Sequence, residues 1–153
     1  MSRMDQKVCL ATPDDIADCV RINIDGDEDY RPTNERLFAE LIPQHRVMVC
    51  KENGSIIALL YWREEFLGRT DYYFLEQITT RDDRRSKGFG SLLLDSFLNL
   101  CKEREVHGVF GLIHNNNTAS LRMCLKAKGF ISGMITGFGE GDRVIVRFDL
   151  DER

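Results

Sequence analysis

The residues best suited to chemistry lie between Glu76 and Ser91. There Glu76-Gln77-Ile78-Thr79-Thr80 runs into Arg81-Asp82-Asp83-Arg84-Arg85-Ser86-Lys87-Gly88-Phe89-Gly90, and an apolar helix follows from Ser91 to Arg104. The order reads as strand, basic glycine-containing loop, helix. A helix N-terminus carries free backbone N–H groups and the positive end of its dipole, so a loop opening into one is a natural seat for phosphate. Gly88 and Gly90 let that backbone approach a ligand closely. Arg81, Arg84, Arg85 and Lys87 raise the local potential in a chain whose net charge is −4. The other reading of the stretch is a connector whose arginines are simply solvated, because Gly-x-Gly alone is a weak signal. A dinucleotide fingerprint fits poorly, since Leu93 stands where its third glycine would be, and no Gly-Lys-Ser/Thr completes a Walker loop.

Arg85-Ser86-Lys87-Gly88-Phe89-Gly90 matches RxxGxG, and the segment resembles the acyl-CoA pyrophosphate loop of the GNAT superfamily of N-acetyltransferases. Leu75-Glu76 lies where several members, notably polyamine acetyltransferases, carry Leu-Glu. Asn117-Thr118-Ala119-Ser120 resembles the start of the family's second motif, and Gly129-Phe130 its close. The resemblance implies acetyl-CoA as cofactor and direct transfer to an amine in a ternary complex. It implies that Ile78, Thr79 and Thr80 pair with the pantetheine through their backbone, and that a backbone N–H in that stretch stabilises the oxyanion. It further implies that Ser86, Lys87, Gly88, Phe89, Gly90 and Ser91 wrap the pyrophosphate. Arg84 and Arg85 either reach outer phosphates or neutralise Asp82 and Asp83. Asn117 and Ser120 either contact the cofactor or cap their helix.

A thioester is attacked by a neutral amine, so an enzyme of this kind must remove a proton. Glu76 lies nine residues before Arg85, the spacing at which the enzymes it resembles carry a strand glutamate, which makes it the best-placed base; its other reading is an ordinary strand carboxylate paired to a cation. The sequence departs from the family at the tyrosine that protonates the departing thiolate. Seven residues on from Asn117 stands Cys124, while counting back from Gly129 lands on Leu125, because the segment is one residue longer than the common pattern. Cys124 could donate a proton, a thiol titrating at roughly 8.5, or could simply pack. Water, Tyr72 or Tyr73 could serve instead.

These residues need a scaffold. Val8 to Ala11 reads as a first strand, and Thr12-Pro13-Asp14-Asp15 opens a helix with Ile16, Cys19, Val20 and Ile24 inward. Asn34 to Ile42 reads as a second helix. Arg46 to Glu52 and Ser55 to Phe66 are strands joined at Asn53-Gly54, and Asp71 to Thr80 leads into the loop. Gly108 to Ile113 is a strand, Asn117 to Lys126 a helix, and Phe130 to Phe138 with Arg143 to Leu150 a closing hairpin. The fold class is therefore α/β (α+β), a GNAT-like arrangement with a mixed, mainly antiparallel sheet and helices, in one domain over residues 1–153.

Composition bounds the rest. With 42% apolar and 30% charged residues the chain is of ordinary globular type. The net charge and the confinement of basic residues to one loop argue against nucleic acid as a partner. No apolar run has the length of a membrane span, and the N-terminus lacks a signal peptide's apolar core, so a cytoplasmic location is expected. The five cysteines include no CxxC pair, which suggests neither a disulfide framework nor a metal site. Asp27, Glu28 and Asp29 form an acidic run that is either a solvated loop or a border of the acceptor site, attracting a cationic amine. Trp62 either lines a substrate pocket or packs the core. The expected activity is an N-acetyltransferase acting on a primary amine of a small molecule or protein. The alternative is an acyl-CoA-binding sensor without turnover. A homodimer is compatible with the family, though no stretch identifies an interface.

Overall fold

In chain order the elements are β1 (Gln6–Leu10), α1 (Ile16–Ile24), α2 (Arg31–Leu41), β2 (Val47–Glu52), β3 (Ser55–Arg63), β4 (Tyr72–Thr80), α3 (Phe89–Glu103), β5 (Gly108–His114), α4 (Thr118–Lys126), β6 (Phe130–Ile135) and β7 (Arg143–Asp149). The computed structural model describes residues 6–137, 139 and 141–151; Phe138, expected at the end of a strand, and residues 1–5 lie outside the described residues. The seven strands form one sheet in the order β1-β2-β3-β4-β5-β7-β6. β4 and β5 run parallel, whereas β1–β2, β2–β3, β5–β7 and β6–β7 are antiparallel. This is the mixed, mainly antiparallel sheet that the sequence leads to.

The chain divides into two compact units, Met1–Tyr61 with Gln77–Ser96 and Trp62–Glu76 with Phe97–Arg153. In the first, α1 begins at a locally determined point. A 3-10 turn over Pro13–Asp15 precedes it, and the Asp15 carboxylate accepts the Thr12 amide at 2.8 Å while pairing with Lys51 at 3.0 Å. α2 starts at Arg31 rather than at the expected Asn34, because Pro32 sits in the first turn, where its missing N–H has no intrahelical acceptor to lose. Cys19, Val20, Ile22 and Ile24 of α1 and Phe38 and Leu41 of α2 are buried with Val47, Val49, Ile56, Leu59 and Tyr61. The turn between β2 and β3 has Asn53 at φ 52° and Gly54 at φ 83°. Two successive left-handed residues make the type I′ turn that matches strand twist.

In the second unit, β7 alternates as its period of two requires, with Val144, Val146 and Phe148 buried. The parallel ladder pairs Tyr72–Leu75 with Gly108–Gly111 and stops there, although β4 runs on to Thr80. α4 ends in a Schellman cap: Gly129 N–H donates to the Cys124 carbonyl at 2.9 Å and Lys128 N–H to that of Leu125 at 3.0 Å. The left-handed residue of the cap is Lys128, at φ 72°. Gly129 must be glycine for another reason, since a Cβ there would lie 2.7 Å from the Phe148 ring.

Candidate active site

β4 delivers the chain into the basic loop, and the Arg81 amide fastens the junction by donating to the Ile57 carbonyl of β3 at 2.8 Å. A single 3-10 turn follows at Asp82–Arg84. Ser86 at φ 63° and Gly88 at φ 89° then turn the backbone through left-handed conformations, and α3 opens at Phe89, whose ring is buried and anchors the helix start. The Leu92 amide is already bonded to the Gly88 carbonyl at 3.0 Å. The amides before it have no acceptor within the helix, as at any helix N-terminus. Lys87, Gly88, Phe89 and Ser91 line a cavity of about 670 Å³ together with Arg84 and Glu52.

The loop's arginines have partners within the first unit. Arg81 makes a bidentate pair with Asp83, at 2.6 and 3.1 Å. Arg84 pairs with Glu52 at 2.9 Å and with Asp83 at 3.4 Å. Arg85 pairs with Asp82 at 2.8 Å and with Asp25 at 3.1 Å, and its Nε donates to the Thr80 carbonyl at 3.3 Å. The Arg81 hydrogen bond holds the Asp83 carboxyl below the usual carboxylate range, and the same bond raises Arg81. Arg84 and Arg85 thus each pair with a carboxylate of the loop and with one from outside it. Lys87 is exposed and has no carboxylate partner among the described residues.

In the second unit, Glu76 is half-buried, its side chain 17% exposed, and forms an ion pair with the Arg63 Nε from the end of β3. Arg63 is 60% exposed, so the partner can leave while the carboxylate stays in place. This pair escaped sequence reasoning, because pairing between strands depends on register rather than on proximity in the chain. Asn117 caps α4, its Oδ1 accepting the Ser120 amide at 3.2 Å, so its side chain is occupied locally. Cys124 is buried in α4, and burial pushes its thiol up to about 11. Trp62 is fully buried, with its ring 4.9 Å from Phe97 and its N–H donating to Glu64 at 3.2 Å. It packs the core and is not open to a substrate; the apolar neighbours Leu59 and Leu60 on the same strand are the signal for that.

In the acidic segment, Asp27 Oδ1 accepts the Asp29 amide at 3.2 Å, and Glu28 is paired with Arg31 at 2.6 Å. All three are exposed, and no cation pairs with Asp27 or Asp29 among the described residues. No group of three metal-ligating side chains occurs among the described residues, and no helix there is long and apolar enough to cross a membrane.

Comparisons with known proteins place this geometry. By structure, the chain is similar to a GNAT-family acetyltransferase of Bacillus cereus, 24% identical over 94% of this chain and 96% of that one, with a TM-score of 0.78. It is also similar to a ribosomal-protein-alanine N-acetyltransferase of Brucella melitensis, 18% identical over 94% and 99%, with a TM-score of 0.82. A Salmonella typhimurium protein solved with its cofactor acetyl-CoA is 16% identical over 97% and 96%, with a TM-score of 0.78. At such identities these likenesses show the fold alone. No curated protein matches the chain by sequence. The model of the GNAT acetyltransferase family matches residues 13–130, which takes in both the basic loop and the Asn117 to Phe130 segment. The chain belongs to the GNAT family and is an acetyl-CoA-dependent N-acetyltransferase.

Proposed function

We propose that the chain transfers the acetyl group directly from acetyl-CoA to a primary amine of a small molecule or protein, in a ternary complex with Glu76 as general base. The observation that carries this reading is the course of the backbone from Glu76 to Phe89. The ladder with β5 has ended, Ser86 and Gly88 turn the chain, and α3 opens with free amides. Backbone groups of Ile78, Thr79 and Thr80 then suit the amides of a pantetheine arm, and the amides from Ser86 to Ser91 suit the pyrophosphate.

Arg63 holds the Glu76 carboxylate in place until an incoming ammonium replaces it. The carboxylate takes a proton from nitrogen, directly or through water, and the neutral amine attacks the thioester carbonyl. Collapse of the tetrahedral intermediate breaks the C–S bond; the nitrogen gives up its second proton and the departing thiolate takes one up, directly or through water. Cys124 is a reluctant donor for that step, because burial pushes its thiol up to about 11, above an ordinary thiol at roughly 8.5. The exposed carboxylates of Asp27 and Asp29 favour a cationic acceptor. The Brucella neighbour, a ribosomal-protein-alanine N-acetyltransferase, keeps a protein amine within the acceptor class.

Thermal stabilisation by acetyl-CoA and CoA but not by ATP, together with free-thiol release across a panel of amines, tests the reading. Glu76→Gln should lower turnover about a hundredfold, most at low pH where the amine is hardest to deprotonate, with acetyl-CoA affinity unchanged. Equal turnover by both proteins across pH would remove Glu76 from the base role.

A further inference from the structure

Asn23 lies in α1 between the buried Ile22 and Ile24, and its side chain is the middle of a hydrogen-bond chain within the first unit. Thr79 Oγ1 on β4 donates to Asn23 Oδ1 at 3.2 Å. Asn23 Nδ2 donates to Asn34 Oδ1 at 2.6 Å and approaches the Tyr61 hydroxyl at 3.5 Å. Asn34 Nδ2 in turn donates to the Tyr30 carbonyl at 2.8 Å, and at the other end Gln77 Nε2 donates to Thr79 Oγ1 at 3.1 Å. Every link runs the same way. Thr79, Asn23 and Asn34 each donate to one neighbour and accept from the other, so turning the Asn23 amide over would set its Oδ1 against that of Asn34. Asn34 is only 8% exposed, so water cannot readily replace a broken link.

The chain ends on the segment that most needs holding. Past Leu75 the β4 ladder with β5 has stopped, β3 is the strand that remains beside β4, and Thr79 is tied further by its side chain to α1. We infer that Asn23 is a positioning residue for the pantetheine arm of acetyl-CoA: it fixes Thr79, and through Thr79 the backbone of Ile78–Thr80 that receives the arm. This rests on the proposed pairing of Ile78–Thr80 with pantetheine. Asn23 does not touch the cofactor, and its effect is selective for the arm over the phosphates, which belong to the loop beyond Arg81.

The test is calorimetric binding of acetyl-CoA and of 3′-phospho-ADP, the cofactor fragment that keeps the pyrophosphate and lacks pantetheine. The proteins are the wild-type chain, Asn23→Ala, the isosteric Thr79→Val and the double variant. Each single substitution should weaken acetyl-CoA about tenfold and leave the fragment within about twofold. The double variant should bind acetyl-CoA no worse than about tenfold below wild type, because both changes remove the same Thr79–Asn23 link. Equal loss for acetyl-CoA and fragment would mean general loosening of the fold and overturn the inference, as would an unmoved acetyl-CoA affinity or additive losses. Thr79→Val keeps the side-chain volume, so the question stays decidable if Asn23→Ala fails to fold. A wild-type chain that binds the fragment as tightly as acetyl-CoA would overturn the pantetheine pairing and this inference with it. One that binds neither would overturn the assignment of the loop.

Discussion

The basic loop from Arg81 to Gly88 and the acidic segment from Asp25 to Tyr30 look in sequence like mirror images, one a cluster of cations and the other a cluster of carboxylates. In the fold they differ in what they leave available. Arg81, Arg84 and Arg85 are all engaged by carboxylates, so the loop presents its backbone amides and Lys87. The acidic segment gives up Asp25 to Arg85 and Glu28 to Arg31 but keeps Asp27 and Asp29 without a cation among the described residues. A count of charges along a chain therefore overstates the field at a site. On the proposed reading, what meets the pyrophosphate is backbone conformation first and one lysine second.

The largest expected effect breaks the backbone half of that contrast. At φ 89°, Gly88 has open space around a hypothetical Cβ, so a side chain there is opposed by backbone strain rather than by crowding. Gly88→Glu adds a negative charge beside the phosphates and should weaken acetyl-CoA about a hundredfold in a binding titration. Wild-type affinity would show that the loop does not hold the cofactor.

A paired and an unpaired cation should then behave differently. Lys87→Ala should weaken acetyl-CoA about fivefold at low ionic strength, and the difference should shrink near 0.5 M salt, where exposed charges are screened. Arg84→Ala should leave affinity within about twofold and instead lower stability by about 1 kcal/mol or less, because it strands a partly buried Glu52. Equal losses of affinity for the two variants would mean that Arg84 leaves Glu52 when the cofactor binds.

Asp25 stands where the two regions meet, and replacing it sharpens the contrast. Asp25 closes α1 in a left-handed conformation, φ 48°, which asparagine adopts readily, so Asp25→Asn removes charge without disturbing the cap. Freed from Asp25, Arg85 can turn to phosphate. Acetyl-CoA should bind about threefold more tightly at low salt, with no difference at high salt.

The loop, its helix and the element order were legible because each rests on local chemistry: glycines at a turn, a capping box at Thr12 and Asp15, an Asn-Gly hairpin, period-two burial on β7. Of the arginines' partners Asp82 and Asp83 were legible too, whereas Glu52 and Asp25 were not, since they reach the loop only through strand pairing and helix packing. Glu76 was legible as a strand carboxylate but its partner Arg63 was not, for the same reason. Asn23 carried a faint signal, a polar side chain between two buried isoleucines. Gly129 was legible as part of a motif, but its cause, the Phe148 ring brought up by β7, was not.

The smallest expected effect belongs to the carboxylates that remain available. Asp27 and Asp29 are exposed, so each contributes to an approaching cation only through a screened field. Asp27→Asn combined with Asp29→Asn should raise KM for a diamine about twofold at low ionic strength, leave kcat alone, and have no effect near 0.5 M salt. A monoamine should feel less of it than a diamine, because steering scales with the charge being steered. Asp27 Oδ1 also accepts the Asp29 amide, but asparagine keeps an oxygen there, so the turn survives the change. An equal KM rise for both amines that persists at high salt would assign these residues to direct acceptor contact rather than to attraction at a distance. The acidic segment would then present specific ligands, as the basic loop does, and the asymmetry between the two regions would disappear.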